Sequence, residues 1–187
     1  MLAYILIITG AVLIVAGFVL LQKNKIKTTS AVPSTLNDYN KMKGDEFEKY
    51  ILLKFDKRYF RLIEWRSDKG HEGIYPESSQ LPDMVFEFSS YTKKERFAIE
   101  CKYRSHFINN SLEWANEQQI RTYNSFYEKE KIPVFIVIGT EGTASQPASL
   151  YIVPLKALKY PSVSKEYLQR FNKDQAQNFF YDNGVLK

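Results

Sequence analysis

Residues 82–103 decide the fold: Pro82-Asp83-Met84-Val85-Phe86-Glu87-Phe88, a polar Ser-Ser-Tyr-Thr-Lys-Lys-Glu connection, then Phe97-Ala98-Ile99-Glu100-Cys101-Lys102-Tyr103. Both ends alternate with the period of a strand, and the connection suits a hairpin. Successive strand side chains point to opposite faces. Phe97, Ile99, Cys101 and Tyr103 therefore share one face with Met84, Phe86 and Phe88 of the partner strand. Asp83, Glu100 and Lys102 fall together on the other, beside the small Ala98. Two carboxylates and an ammonium next to a small residue leave room for a cation. Taken alone, Glu-x-Lys is also the commonest dressing of a strand's solvated face.

The chain has 187 residues, enough for one domain plus an appendage. Apolar residues make up 44% and aromatics 15%, which suffices for a packed core. The net charge of +5 suits a polyanionic partner without requiring one. A single cysteine, Cys101, rules out an internal disulfide and reads as a core thiol. His71 and His106 are too few and too far apart for a Cys/His zinc site.

Residues 2–21 carry no charge and are almost wholly aliphatic, glycine or phenylalanine. Twenty helical residues span about 30 Å, the thickness of a bilayer's hydrocarbon layer. Lys23, Lys25 and Lys27 follow this run and nothing basic precedes it, so the pattern is that of a retained anchor with its C-terminal side cytoplasmic. Ala3, Gly10 and Gly17 recur every seven residues and could let two such anchors approach, as in a homodimer. The expected division is an anchor over 1–22, a juxtamembrane linker over 23–35 and a domain over 36–187.

Within the domain, Thr35 and Asp38 have the spacing of a capping box, and a helix is expected from about Leu36 to Phe55. Phe47, Ile51 and Phe55 mark its buried face, with Glu48 at the edge of that stripe. Residues 59–66 read as a first strand, and 67–80 as a long loop that carries His71. Asn110 and Glu113 can cap a second helix reaching Glu130, with Gln119 and Tyr123 one turn apart on one side. Residues 132–139 form a continuous apolar run that suits a strand covered on both faces. Residues 150–154 read as a last core strand after a polar loop, and 155–187 as a short helix with an irregular tail.

Pro-Asp followed after a gap by Glu-x-Lys resembles the core of the PD-(D/E)xK nuclease superfamily, the restriction-endonuclease-like fold. Gly44-Asp45-Glu46-Phe47-Glu48 is similar to the Gly-x-x-(Phe/Tyr)-Glu element on the first helix of its Mrr-like and Holliday-junction-resolvase-like branches. Gln119-Ile-Arg-Thr-Tyr123 is similar to the Gln-x-x-x-Tyr element that follows Glu-x-Lys in several branches. The resemblance covers about 44–154. It implies an α/β core of order α-β-β-β-α-β-β, a mixed sheet flanked by helices. It also implies a metal-dependent nuclease, with Asp83, Glu100, Lys102 and Glu48 as the catalytic group. Mg²⁺ or Mn²⁺ would be held by Asp83, Glu100, Glu48 and the Cys101 carbonyl. Gln119 and Tyr123 would position substrate, and Arg104 and Arg121 would contact phosphate. The implied partner is nucleic acid, DNA in preference to RNA, at a membrane reached through the N-terminal helix. The alternative is a nuclease-fold module that binds nucleic acid or a protein without cutting.

Overall fold

Strand β3 (Lys94–Arg104) is the longest element of the sheet and the one that the others are laid against. Its first half pairs antiparallel with β2 (Met84–Ser89), closing the expected hairpin, with Met84 opposite Ile99 and Phe86 opposite Phe97. Its second half runs parallel to β5 (Val134–Thr143). A parallel neighbour demands a crossover, which α2 (Glu117–Glu130) supplies. With β1 (Phe60–Trp65), β6 (Gln146–Pro154) and β8 (Asn172–Lys173) the sheet has, among the described residues, six strands in the order β1-β2-β3-β5-β6-β8, all pairs but β3–β5 antiparallel. The computed structural model describes residues 35–66 and 81–187. The anchor expected over residues 2–21, the linker and His71 lie outside them, and among the described residues no helix is long and apolar enough to cross a membrane.

Helix α1 (Leu36–Leu52) lies on one face and α2 on the other. The α1 side is aromatic: Phe55 stacks on Phe86 at 4.1 Å and Phe97 on Tyr181 at 4.7 Å. The α2 side is mostly aliphatic, with Ile136, Ile138 and Val153 around Trp114 and Tyr123. Coverage on both faces explains why β5 begins as an unbroken apolar run rather than an alternating one. Gly139 has a packing reason, because a Cβ there would run into the ring of Phe47. That glycine lets α1 sit close to the sheet.

The structure differs from the sequence-based expectation in four places. Helix α1 stops at Leu52, leaving Leu53 on the surface while Phe55 still turns into the core. Asn110 does not cap α2, since 111–113 form a short strand β4 (Ser111–Glu113) paired with β7 (Ser162–Ser164). The cap is Asn116, whose side chain and that of Gln119 make a reciprocal capping box. The polar segment after Gly139 is no loop but the tip of a long β5–β6 hairpin that turns at 144–145, with Glu141 and Gly142 of β5 at positive φ. The tail is more ordered than expected: α3 (Lys165–Gln169) precedes β8, and β9 (Tyr181–Asp182) pairs with β10 (Val185–Leu186). Phe179, Tyr181 and Leu186 close the aromatic face.

Candidate active site

The site is a notch in the sheet. Pairing between β2 and β3 ends at Met84 and Ile99, while β3 continues through Glu100 and Lys102 with β5 alone beside it. Where β2 is missing, side chains from both faces can reach one space. Asp83 stands at the entrance, and its Oδ2 accepts a hydrogen bond from the Cys101 N–H at 2.7 Å, holding the corner to the bare edge of β3. Arg66 clamps the same corner from β1's end: its N–H donates to the Asp83 carbonyl and its Nη1 to the Pro82 carbonyl, both at 2.7 Å.

From the α2 side, Glu100 is 4% exposed. Its Oε1 accepts from Lys102 Nζ and from the Tyr123 hydroxyl, each at 2.6 Å. Its Oε2 is buried with no hydrogen-bond partner among the described residues, an unusual state for a carboxylate oxygen. From the α1 side, Glu48 is 8% exposed, and its Oε2 accepts from the Trp65 indole Nε1 at 2.7 Å. Glu48, Asp83, Glu100, Lys102 and Tyr123 line a cleft of about 420 Å³ that also takes in Lys41, Arg66 and Gln119.

Burial sets the electrostatics. Desolvation, followed by the charges of Glu100 and Glu48, pushes the Asp83 carboxyl well above the usual range. Glu48 is also raised, chiefly by desolvation, which outweighs the Trp65 hydrogen bond. Desolvation pulls Lys102 down, but the Glu100 and Asp83 carboxylates overcome it and leave its pKa above the ordinary value. Lys102 is therefore an ammonium at neutral pH. The Tyr123 phenol and the Cys101 thiol are pushed up by burial and by the acidic neighbours, so both stay protonated.

Neither a family model nor a curated protein matches the sequence. Among solved structures, the chain is similar to a Holliday junction resolvase. That structure is Hjc from Archaeoglobus fulgidus, an archaeal hyperthermophile; the identity is 16% and the TM-score 0.49, with 71% of this chain and 97% of that one covered. The chemistry of the notch rests on its own geometry.

Of the residues singled out in the sequence, Glu48, Asp83, Glu100, Cys101, Lys102, Gln119 and Tyr123 all border the cleft. Gln119 has a structural task as well, as the returning half of the α2 capping box. The two arginines expected at phosphate are elsewhere. Arg104 spends its guanidinium on the carbonyls of Tyr103, Glu113 and Trp114. Arg121 is on the outer side of α2, paired with Glu117. His106 is exposed and bonded to Ser105. Lys41, Trp65 and Arg66 were not anticipated; the first lies one turn before Asp45 on α1, a spacing that could have marked it.

The donor set is all oxygen, which suits a hard cation. Among the described residues no three His, Cys, Asp or Glu side chains surround a common point as they stand. The reason is visible: Trp65 holds Glu48, the Cys101 N–H holds Asp83, and Lys102 with Tyr123 holds one oxygen of Glu100. The unpartnered Glu100 Oε2 and the mutual repulsion felt by Asp83 are what a cation would relieve. The residues fit a divalent ion.

Proposed function

We propose that this chain is a divalent-metal-dependent nuclease of the PD-(D/E)xK type, hydrolysing phosphodiester bonds of DNA and held at a membrane by residues 2–21 with its catalytic domain cytoplasmic. The observation that carries the reading is the convergence of Glu48, Asp83 and Glu100 on one notch, with a protonated Lys102 paired to one oxygen of Glu100 while the other has no partner among the described residues.

Glu48, Asp83 and Glu100, with the Cys101 carbonyl, would hold Mg²⁺ or Mn²⁺. The ion supplies Lewis-acid stabilisation of the phosphoryl and leaving oxygens. Lys102 brings a positive charge to the same place and, as an ammonium, can donate a hydrogen bond to a phosphoryl oxygen or orient a water. It cannot serve as the general base while charged. Tyr123, fixed as a phenol, donates to Glu100 Oε1 and so fixes the rotamer of that carboxylate, leaving Oε2 as the oxygen not already engaged. Lys41 and Arg66 line the same cleft and replace Arg104 and Arg121 as the candidate contacts for backbone phosphates. Arg66 is largely covered and engaged, so Lys41 is the freer of the two to follow a strand.

The test is cleavage of plasmid, single-stranded and branched DNA by the full chain, with Mg²⁺, with Mn²⁺ and with chelator. Cleavage that needs the metal supports the proposal. DNA binding without cleavage under any of these conditions would replace it with the non-cutting alternative.

A further inference from the structure

Strand β1 does something that its alternation does not predict. Leu62 faces α1 and packs with the aromatic core, so a regular strand would send Trp65, three positions on, to the opposite face. The pairing with β2 contains a bulge: Leu62 opposes Phe86, Glu64 opposes Val85, and Ile63 is the extra residue. Ile63 accordingly packs on the α2 side, and Trp65 comes opposite Met84 on the α1 side. A bulge commonly re-aims a side chain beside a functional site. Here it turns the indole toward α1, where Nε1 donates to Glu48 Oε2 at 2.7 Å.

We infer that Trp65 is the positioning residue for Glu48: the bulge in β1 aims the indole N–H at one oxygen of that carboxylate and leaves the other to face the metal in the cleft. The inference rests on the nuclease reading of the notch. Glu48 needs such a partner, because it comes from the far face of the sheet on a helix that makes no other polar contribution this deep. A carboxylate that ligates a metal is normally oriented through its second oxygen by a hydrogen bond, and losing that bond costs about 10–100-fold in affinity or activity. Trp65 lies on the outermost strand and is 39% exposed, so it contributes little to the core but reports well on its surroundings. Trp114, the other tryptophan, has no exposed surface and donates to the Tyr160 carbonyl.

The test is a Mg²⁺ titration of the full chain in mild detergent, followed by tryptophan emission, with Mg²⁺ affinity from calorimetry and plasmid cleavage on the same preparations. Wild-type emission should change saturably, and the change should vanish in Trp65→Phe, which keeps the ring but not the N–H. Trp65→Phe should bind Mg²⁺ about ten-fold more weakly, with the KM for DNA unchanged, and Trp65→His, which restores an N–H donor, should recover part of the loss. If Trp65→Phe does not fold, the acrylamide-accessible part of the wild-type emission carries the same test, since only Trp65 is reachable. A wild type that binds Mg²⁺ and cuts, with Trp65 emission flat or Trp65→Phe of unchanged affinity, overturns the inference alone. A wild type that neither binds Mg²⁺ nor cuts overturns the nuclease reading and this inference together.

Discussion

The two halves of β3 belong to one strand but have opposite characters: the first is flanked by β2, the second is not. In the first half, Phe97, Ala98 and Ile99 have β2 on one side, β5 or its approach on the other, and no exposed surface. In the second, Glu100 and Lys102 have β5 alone, and the space where β2 would run is filled by an ion pair, a phenol and two further carboxylates. A continuous sheet keeps its two faces apart. Only where a strand is missing can α1 send Glu48, and α2 send Tyr123, into the same cleft.

If that comparison is right, substitutions in the first half should cost stability and spare chemistry, and those in the second should do the reverse. Phe97→Ala should have the largest effect on folding. Its ring lies between Phe86, Phe135 and Tyr181, and Phe→Ala in such a place costs about 3–5 kcal/mol. Chemical denaturation should show that loss while cleavage per folded molecule stays at the wild-type level. Tyr123→Phe keeps the stack on Trp114 and removes only the hydroxyl, so a 10–100-fold fall in cleavage with little change in the melting midpoint is expected.

Asp83→Asn sharpens the comparison through pH. The folded-state pKa of Asp83 is raised, so the stability linked to this group is fully present below the ordinary carboxylate value near 3.9 and is lost as pH rises through the raised value. In chelator, the wild type should weaken over that window. Asp83→Asn, which keeps an acceptor for the Cys101 N–H, should not, and at neutral pH it should be more stable by about 1 kcal/mol. Thermal melts across pH read this directly, and added Mg²⁺ should narrow the gap from the wild-type side. The smallest effect belongs to Arg121→Ala. On the outer side of α2, it should change stability by less than about 0.5 kcal/mol and leave cleavage untouched. A marked loss of DNA cleavage there would mean that the substrate path extends over that side of the helix.

What the sequence disclosed was local. Alternation in 82–103 separated Asp83, Glu100 and Lys102 from Phe86, Phe97 and Ile99 because the side-chain period of a strand is set by its own backbone. Phe47 and Ile51 placed Glu48 beside the buried stripe for the same kind of reason. What stayed hidden depended on distant partners. The bulge that aims Trp65 exists only against β2, and Arg66 finds its role only at the Pro82 carbonyl, across residues 67–80. The start of α2 moved because 111–113 prefer a strand partner some fifty residues on. Arg104 looked free beside the motif, but the carbonyls that occupy it come from β4 and its following turn.

Whether the bare half of β3 is a metal-dependent catalytic centre is tested most directly by Glu100→Gln. The substitution keeps the shape of a side chain that is 4% exposed and keeps an acceptor for Tyr123 and Lys102, yet removes the charge. The measurement is the rate of Mg²⁺-dependent plasmid cleavage per folded molecule, wild type against Glu100→Gln, with chelator as the blank. A loss on the order of 10²–10³ or more is expected, the scale of removing one preorganised electrostatic group, in a protein that still melts cooperatively, with a lowered midpoint because Lys102 loses its buried partner. Equal rates for the two proteins, under conditions where the wild type cuts, would contradict a catalytic centre there.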